Sequence, residues 1–106
     1  MKIIYNNLIP FNGYKAINLF GVLFVRKGCV MSEIDINHEA IHTTQMKEML
    51  YIFFYVWYII EWGIRLFMKG NAYRNISFER EAYANQNNLS YLNTRKRYAW
   101  LNFLRE

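Results

Sequence analysis

The chain has 106 residues, of which 54% are hydrophobic and 19% aromatic, a composition that excludes intrinsic disorder and suffices for one hydrophobic core. The formal net charge is +5, which favours acidic partners such as anionic lipid or nucleic acid without identifying either. We therefore expect a single domain over residues 1–106.

The N-terminal part of the chain predicts β-structure. Ile3–Tyr5 is a short apolar run, and Asn12-Gly13 is a turn signal. Ala16–Arg26 is rich in β-branched and aromatic residues, so we expect one strand there, with a bulge at Gly21. Pairing of the two apolar segments would form a small antiparallel β element.

The first predicted helix carries residues 38–48. Ser32, Asp35 and Asn37 are its candidate N-caps, and the acidic side chains near this end favour a helix start because of the helix dipole.

Three further segments predict the remaining helices. Met49–Met68 is the most apolar part of the chain, and it contains Glu61 and Arg65 at the spacing of a helical ion pair. Ser77 could cap a third helix that runs to about Leu92, and a basic helix over Thr94–Leu104 would close the chain. Strands followed by three to four helices indicate an α+β fold.

The two histidines of the chain lie four residues apart, in the run His38-Glu39-Ala40-Ile41-His42. On a helix, residues i and i+4 share one face, so both imidazoles can reach one metal ion. Glu39 projects about 100° around the helix from His38. It can therefore flank the metal without binding it, where a general base must lie to take a proton from zinc-bound water.

A complete zinc site needs a third protein ligand, and the chain offers no further histidine and only one cysteine. The third ligand is then expected to be a carboxylate. Glu61 would have to leave a strongly apolar helix to reach the metal. Glu79 and Glu81 lie near the start of a new helix, after a polar turn. We favour Glu79, with Glu81 and Glu61 as alternatives.

These residues resemble the two signatures of the gluzincin metallopeptidases: an HExxH helix, and a second helix with a Glu-x-x-Ala/Ser-Asp-like motif. The second signature is matched by Glu79-Arg-Glu-Ala82-Tyr83-Ala84. The resemblance implies a zincin-like fold, with His38, His42 and Glu79 as zinc ligands. Tyr83 stands where many families have an aspartate that orients a ligand histidine, so Glu81 or Asn75 would have to supply that role.

The activity that the resemblance implies is hydrolysis of peptide bonds. Zinc would activate water, and Glu39 would accept its proton and pass it to the leaving amine. The peptide or protein substrate would pair with the exposed edge of the Ala16–Arg26 strand. The donor to the oxyanion is left open among Tyr73, Tyr83 and Arg80. Gln45, one turn past His42, could contact the site, but we expect it to be exposed to solvent.

The apolar segment Met49–Met68 has three interpretations: a buried core helix, which we favour, a helix at a membrane surface, or a homodimer interface. A non-enzymatic membrane-surface or partner-binding protein with a vestigial or structural zinc site is the alternative to an enzyme. No nucleic-acid-binding module accompanies the positive charge. Met1–Pro10 lacks the apolar core of a signal peptide, so a cytoplasmic location, with membrane association as an option, is expected.

The position of Glu79 sets a geometric condition on this apolar segment. A continuous helix from His42 to Met68 would be about 39 Å long. The 11 residues from Met68 to Glu79 span at most about 36 Å when fully extended. A site that includes Glu79 therefore requires a break in the helix, either at Gln45–Met49 or at Gly63.

Overall fold

Strands come first and helices second in the computed structural model, which describes residues 2–9 and 14–104. The elements are β1 Lys2–Asn6, β2 Ala16–Leu19, β3 Val22–Arg26, α1 Glu33–Glu48, α2 Ile52–Arg65, α3 Ser77–Asn85, α4 Tyr91–Thr94 and a final 3-10 helix, Ala99–Phe103. The predicted α+β class is confirmed. The predicted Asn12-Gly13 turn lies outside the described residues.

The sheet is mixed, with the strand order β1-β3-β2. β2 and β3 are antiparallel. β1, which carries the Ile3–Tyr5 segment, lies on the other side of β3 and is parallel to it, so the expected antiparallel pairing of this segment with Ala16–Arg26 is wrong. The prediction of one strand over Ala16–Arg26 is wrong, because Phe20 and Gly21 both have positive φ and turn the chain into a hairpin. A two-residue loop with two positive φ angles matches the twist of a β-hairpin. β2 is consequently an edge strand.

α1 begins where the sequence predicts it. The Ser32 hydroxyl accepts a hydrogen bond from Asp35 N at 3.0 Å, and Asp35 Oδ2 accepts one from Ser32 N at 3.1 Å. This reciprocal arrangement satisfies two backbone donors that a helix leaves unpaired at its start. Ser32 is therefore the N-cap, in preference to Asp35 and Asn37.

The predicted helix break falls at residues 49–51, at the C-terminal end of the first candidate segment, Gln45–Met49. Leu50 and Tyr51 have φ angles of 52° and 59°. Ile52 N donates to Leu50 O at 2.6 Å, which closes a γ-turn around Tyr51. Gly63, the other candidate, lies inside α2. This break lets the chain after α1 return towards the histidines.

One face of α2 packs against the core, and the opposite face is exposed. Phe54 is 3% exposed and stacks on Phe78 with ring centroids 4.4 Å apart, but Ile52, Ile59 and Ile64 are each more than half exposed. The core-helix interpretation of the apolar segment therefore holds for the inner face only. Within residues 2–9 and 14–104, no helix is long and apolar enough to cross a membrane.

α3 starts at Ser77 because a side chain from α2 caps it. Glu61, 5% exposed, accepts hydrogen bonds from Ser77 N, at 2.9 Å, and from the Ser77 hydroxyl. Ile76, rather than Ser77, occupies the N-cap position. Glu61 thus satisfies the first backbone donor of α3 and neutralises the positive end of that helix.

The last two predicted helices are both shorter in the structure. α3 ends at Asn85 rather than near Leu92, in an asparagine-rich stretch where Asn88 Oδ1 accepts from Ser90 N at 3.1 Å. Asparagine side chains of this kind compete with the helical backbone for hydrogen bonds. The helix predicted over Thr94–Leu104 is reduced to the five-residue 3-10 helix.

A compact aromatic core holds the helices together. It consists of Met46, Phe54, Ile76, Phe78 and Trp100, which are all at most 5% exposed. α1 contacts β2, α2 and α3, so it is the element around which the edge strand and the later helices are arranged. The face of α1 that carries the histidines is turned towards α3.

Candidate metal centre

The two histidines meet on one face of α1, as their spacing predicts. His38 is 8% exposed and His42 is 5% exposed. Their Nε2 atoms lie 3.2 Å apart, which requires both imidazole rings to point to the same place. Ideal helical positions four residues apart allow this convergence without backbone strain.

α3 brings the carboxylate of Glu79 to the same point. Glu79 Oε1 lies 3.1 Å from His42 Nε2 and 3.3 Å from His38 Nε2. The three buried residues form a group that could hold a metal ion. In a tetrahedral site with zinc–ligand distances of 2.0–2.1 Å, ligand atoms stand about 3.3–3.4 Å apart. The three distances are close to that value, so the donor set fits a tetrahedrally coordinated ion.

Side-chain amide groups orient both imidazole rings. Gln45 Oε1 lies 2.8 Å from His42 Nδ1, and Gln86 Oε1 lies 2.8 Å from His38 Nδ1. An amide oxygen can only accept, so each Nδ1 must carry the proton that it donates. In a neutral imidazole this leaves the Nε2 lone pair for a metal.

The orientation of the Gln45 amide is itself determined by two acceptors. Its Nε2 donates to Phe78 O at 3.1 Å and to Glu81 Oε1 at 3.0 Å. Neither a backbone carbonyl nor a carboxylate can donate in return, so the amide cannot be reversed. The position of Glu81 thereby determines, through Gln45, which nitrogen of His42 faces the metal position.

Glu81 belongs to a buried charge network behind the histidines rather than to the metal group. Arg95 Nε lies 2.5 Å from Glu81 Oε2, and the same guanidinium makes two hydrogen bonds of 3.0 Å to Glu48. Burial opposes the charge of Glu81, but hydrogen bonds from Arg95, Gln45 and Tyr91 hold the pKa of this carboxyl below its usual range. Glu81 therefore holds the Gln45 amide in place through a hydrogen bond and is not one of the metal-binding residues.

A tyrosine orients the carboxylate of Glu79. The Tyr58 hydroxyl donates to Glu79 Oε2 at 2.8 Å, which leaves Oε1 turned towards the two histidines. Burial, together with the neighbouring carboxylate, raises the pKa of Tyr58. Tyr58 therefore remains a neutral hydrogen-bond donor over the whole physiological range of pH.

The charges of the group are coupled. Burial lowers the pKa of His42, but the Glu79 carboxylate outweighs this effect and raises it to about 9. Burial also disfavours the charge of Glu79, yet His42 and the hydrogen bonds from His38, His42 and Tyr58 hold the pKa of Glu79 well below its usual range. Without a metal ion, the pair is an imidazolium beside a carboxylate. A bound cation would replace that proton.

Glu39 lies outside the metal group, at the boundary between two clefts. It lines an apolar cleft of about 310 Å³ together with β2, His42 and Tyr55. It also lines a more polar cleft of about 270 Å³ on the side of His38. Asn18 Nδ2 donates to Glu39 O at 3.1 Å, which holds β2 against this part of α1.

The outer edge of β2 runs along both clefts. Arg26 N donates to Lys15 O at 3.0 Å, so the alternation of an antiparallel pair turns the backbone of Ala16 and Asn18 away from β3. Asn18 O accepts from the Tyr55 hydroxyl at 3.2 Å, in agreement with that alternation. Ala16 lines both clefts and presents its outward backbone between them.

The other residues that the sequence offers as site candidates differ in the contacts they make. Tyr73 lines both clefts. Tyr83 packs edge-on against His38, with centroids 4.7 Å apart, and Arg80 Nη1 donates to Phe103 O at 2.6 Å. Glu61 caps α3. Gln45, expected to be exposed, is fully buried instead.

Sequence analysis did not identify Tyr58 or Gln86, and it placed Gln45 on the surface. Tyr58 lies 21 residues from Glu79, and Gln86 lies 48 residues from His38, so no local spacing connects them to their partners. Gln45 had a usable signal. It lies three residues after His42, on the same face of a helix.

No protein-family model, curated protein or solved structure matches this chain.

Proposed function

We propose that the chain is a zinc-dependent hydrolase of peptide bonds, with His38, His42 and Glu79 as zinc ligands and Glu39 as the general base. The observation that carries this proposal is the convergence of three oriented donor atoms within 3.1–3.3 Å of one another, with a fourth group, Glu39, on the cleft side. A purely structural zinc site has no need of a carboxylate at that place.

The roles of the residues follow from their positions. Zinc held there would supply a Lewis acid and a water of lowered pKa. Glu39, at the boundary of the two clefts, accepts the proton of the attacking water and delivers it to the leaving amine. Gln45, Gln86 and Tyr58 hold the ligand atoms in place, which preserves the metal geometry during turnover.

The substrate in this proposal is an extended peptide. The outward backbone of Ala16 offers one donor and one acceptor to a strand that adds to the edge of β2. Residues of that strand on either side of the scissile bond would enter the two clefts. The cleft lined by Leu19, Phe54 and Tyr55 is apolar, so an aliphatic or aromatic side chain is the expected occupant there.

Tyr73 is the residue that we assign to the oxyanion. It lines both clefts beside Glu39, whereas Tyr83 lines only the more polar cleft and Arg80 donates to Phe103 O. Burial, followed by the effect of Glu79, raises the pKa of Tyr73. Its hydroxyl therefore stays protonated and can donate to the developing negative charge.

The direct test replaces Glu39 by Gln and assays a library of internally quenched peptides in the presence of zinc. We expect hydrolysis to fall at least about 100-fold, because removal of a general base typically costs that much or more, while zinc binding is retained. The matched control is Glu33→Gln, which removes an exposed carboxylate from the first turn of α1 and should leave both properties unchanged. Full activity in Glu39→Gln, or loss of its zinc, would contradict the assignment.

A further inference from the structure

The polarity of α2 is the reverse of that expected for a surface helix. Glu61 and Arg65, the charged residues of this helix, are only 5% and 6% exposed. The α2 outer face, defined by Ile52, Phe53, Val56, Ile59, Ile60 and Ile64, is 44–65% exposed. An ordinary amphipathic helix buries its apolar stripe and exposes its charges.

The apolar surface continues beyond the helix. Leu66, Phe67 and Met68 follow directly and are 54%, 93% and 42% exposed. Together with the α2 outer face they give nine exposed apolar side chains within residues 52–68, whereas the two charged side chains of this segment, Glu61 and Arg65, are buried. Large exposed apolar patches mark surfaces that bind a protein partner or a membrane.

The charges elsewhere on the molecule are segregated by sign. Among residues 2–9 and 14–104, eight basic residues are exposed: Lys2, Lys15, Lys27, Lys47, Lys69, Arg74, Lys96 and Arg97. Glu33 is the one exposed acidic residue within the same described ranges. Asp35 is partly exposed and is paired with Lys15, and Glu61, Glu79 and Glu81 are buried. The accessible surface is therefore more cationic than the formal net charge indicates.

Two of the exposed cations flank the apolar surface in the chain. Lys47 precedes α2 by five residues, and Lys69 follows Met68 directly. Trp62, which is 44% exposed, lies on the same helix and belongs to the residue type that prefers a membrane–water interface. An apolar face between cations and beside an indole has the pattern of helices that lie in the plane of a bilayer.

We propose that the α2 outer face docks on an anionic lipid bilayer, with α2 parallel to the membrane plane. Charge complementarity favours this occupant over a second copy of the chain, since two copies would bring two cationic surfaces together, whereas an anionic bilayer attracts exposed lysines. The length of α2, about 21 Å for 14 residues, is compatible with surface docking and falls short of a bilayer core of about 30 Å.

The test is flotation of the full chain with vesicles of phosphatidylcholine alone or mixed with phosphatidylglycerol. The wild type should float with the anionic vesicles and much less with the neutral ones, and 0.5 M salt should weaken the binding because it screens the charges. Ile59→Ser and Phe67→Ser should each weaken binding to anionic vesicles about tenfold through the loss of apolar burial. Trp62 fluorescence should shift to the blue on binding.

The matched control is Val30→Ser, which removes an 80% exposed apolar side chain from the connection between β3 and α1 and should leave vesicle binding unchanged. Circular dichroism of each variant reports whether it is folded. Absence of binding to anionic vesicles, or equal binding by folded Ile59→Ser and wild type, would overturn the proposal. A dimer in solution that Ile59→Ser dissociates, without vesicle binding by the wild type, would show that a second copy covers this face.

Discussion

At the scale of single residues, the site depends on groups that never touch the metal position. The Gln45 amide is held by Glu81 and by Phe78 O, and it determines the tautomer of His42. Glu81 is held in turn by Arg95. This chain of contacts begins at the C-terminal part of the protein and ends at a ligand nitrogen. It explains why a carboxylate two residues from Glu79 is buried without being a ligand.

We expect Gln45→Met to weaken zinc binding by 10- to 100-fold, a range typical of groups that orient a metal ligand. Methionine has a similar size, but its thioether sulfur is only a weak acceptor for the Nδ1 proton of His42 and cannot donate to Glu81. Titration of the metal-free protein with zinc against a competing chelator measures the change. Ser77→Ala is the matched control, because it removes an equally buried hydrogen bond, to Glu61, without contact with the histidines. Unchanged zinc affinity in Gln45→Met would show that this orientation is unimportant.

At the scale of secondary-structure elements, α1 is positioned by its first turn. Ser32 and Asp35 cap each other, and Lys15 Nζ lies 2.8 Å from Asp35 Oδ2, which ties the segment before β2 to the start of the helix. The hydrogen bonds from Lys15 and from Ser32 hold the pKa of Asp35 below its usual value of 3.8. The cap therefore connects the edge strand to the helix that carries the site.

The contribution of this cap to the stability of the protein depends on pH. Because the pKa of Asp35 is lower in the folded state than in the unfolded chain, its stabilising effect is fully present above the unfolded value and is lost as the pH falls through the folded pKa. The free energy of unfolding of Asp35→Asn should lie below that of the wild type at pH 7, and the difference should shrink below about pH 4. Urea unfolding of both proteins at several pH values measures this. A difference that grows in acid would contradict the assignment.

The elements show which sequence signals are reliable and which are not. The Ser32 capping box and the histidine spacing are local, so α1 and the pairing of His38 with His42 could be predicted. Ala16–Arg26 predicts one strand because it is rich in β-branched and aromatic residues, and nothing local indicates the positive φ of Phe20. The early end of α3 depends on asparagine side chains that bond to the backbone, and the capping of Ser77 by Glu61 is a contact between distant segments.

At the scale of the whole molecule, the metal group joins segments that are 37 residues apart, α1 and α3. Metal that binds the folded state alone stabilises it by mass action. At a zinc concentration about a thousandfold above Kd, the free energy of unfolding increases by about 4 kcal/mol. For a domain of this size that should raise Tm by roughly 15 °C or more.

The measurement is thermal unfolding of the protein with EDTA and with added zinc. His38→Ala serves as the control, since it removes one ligand and its Tm should barely respond to zinc. The same Tm for the wild type in zinc and in EDTA would mean that no tight site connects α1 to α3. Glu79 and the two histidines would then form a buried ion pair and not a metal site.

The most direct test of the central claim is the zinc content of the purified protein, measured by elemental analysis after loading with zinc and removal of the excess. We expect about one zinc per chain in the wild type and a large loss in Glu79→Gln, which keeps the size of the side chain but removes the carboxylate charge. No bound zinc in the wild type, or full occupancy in Glu79→Gln, would contradict the assignment of His38, His42 and Glu79 as the metal site.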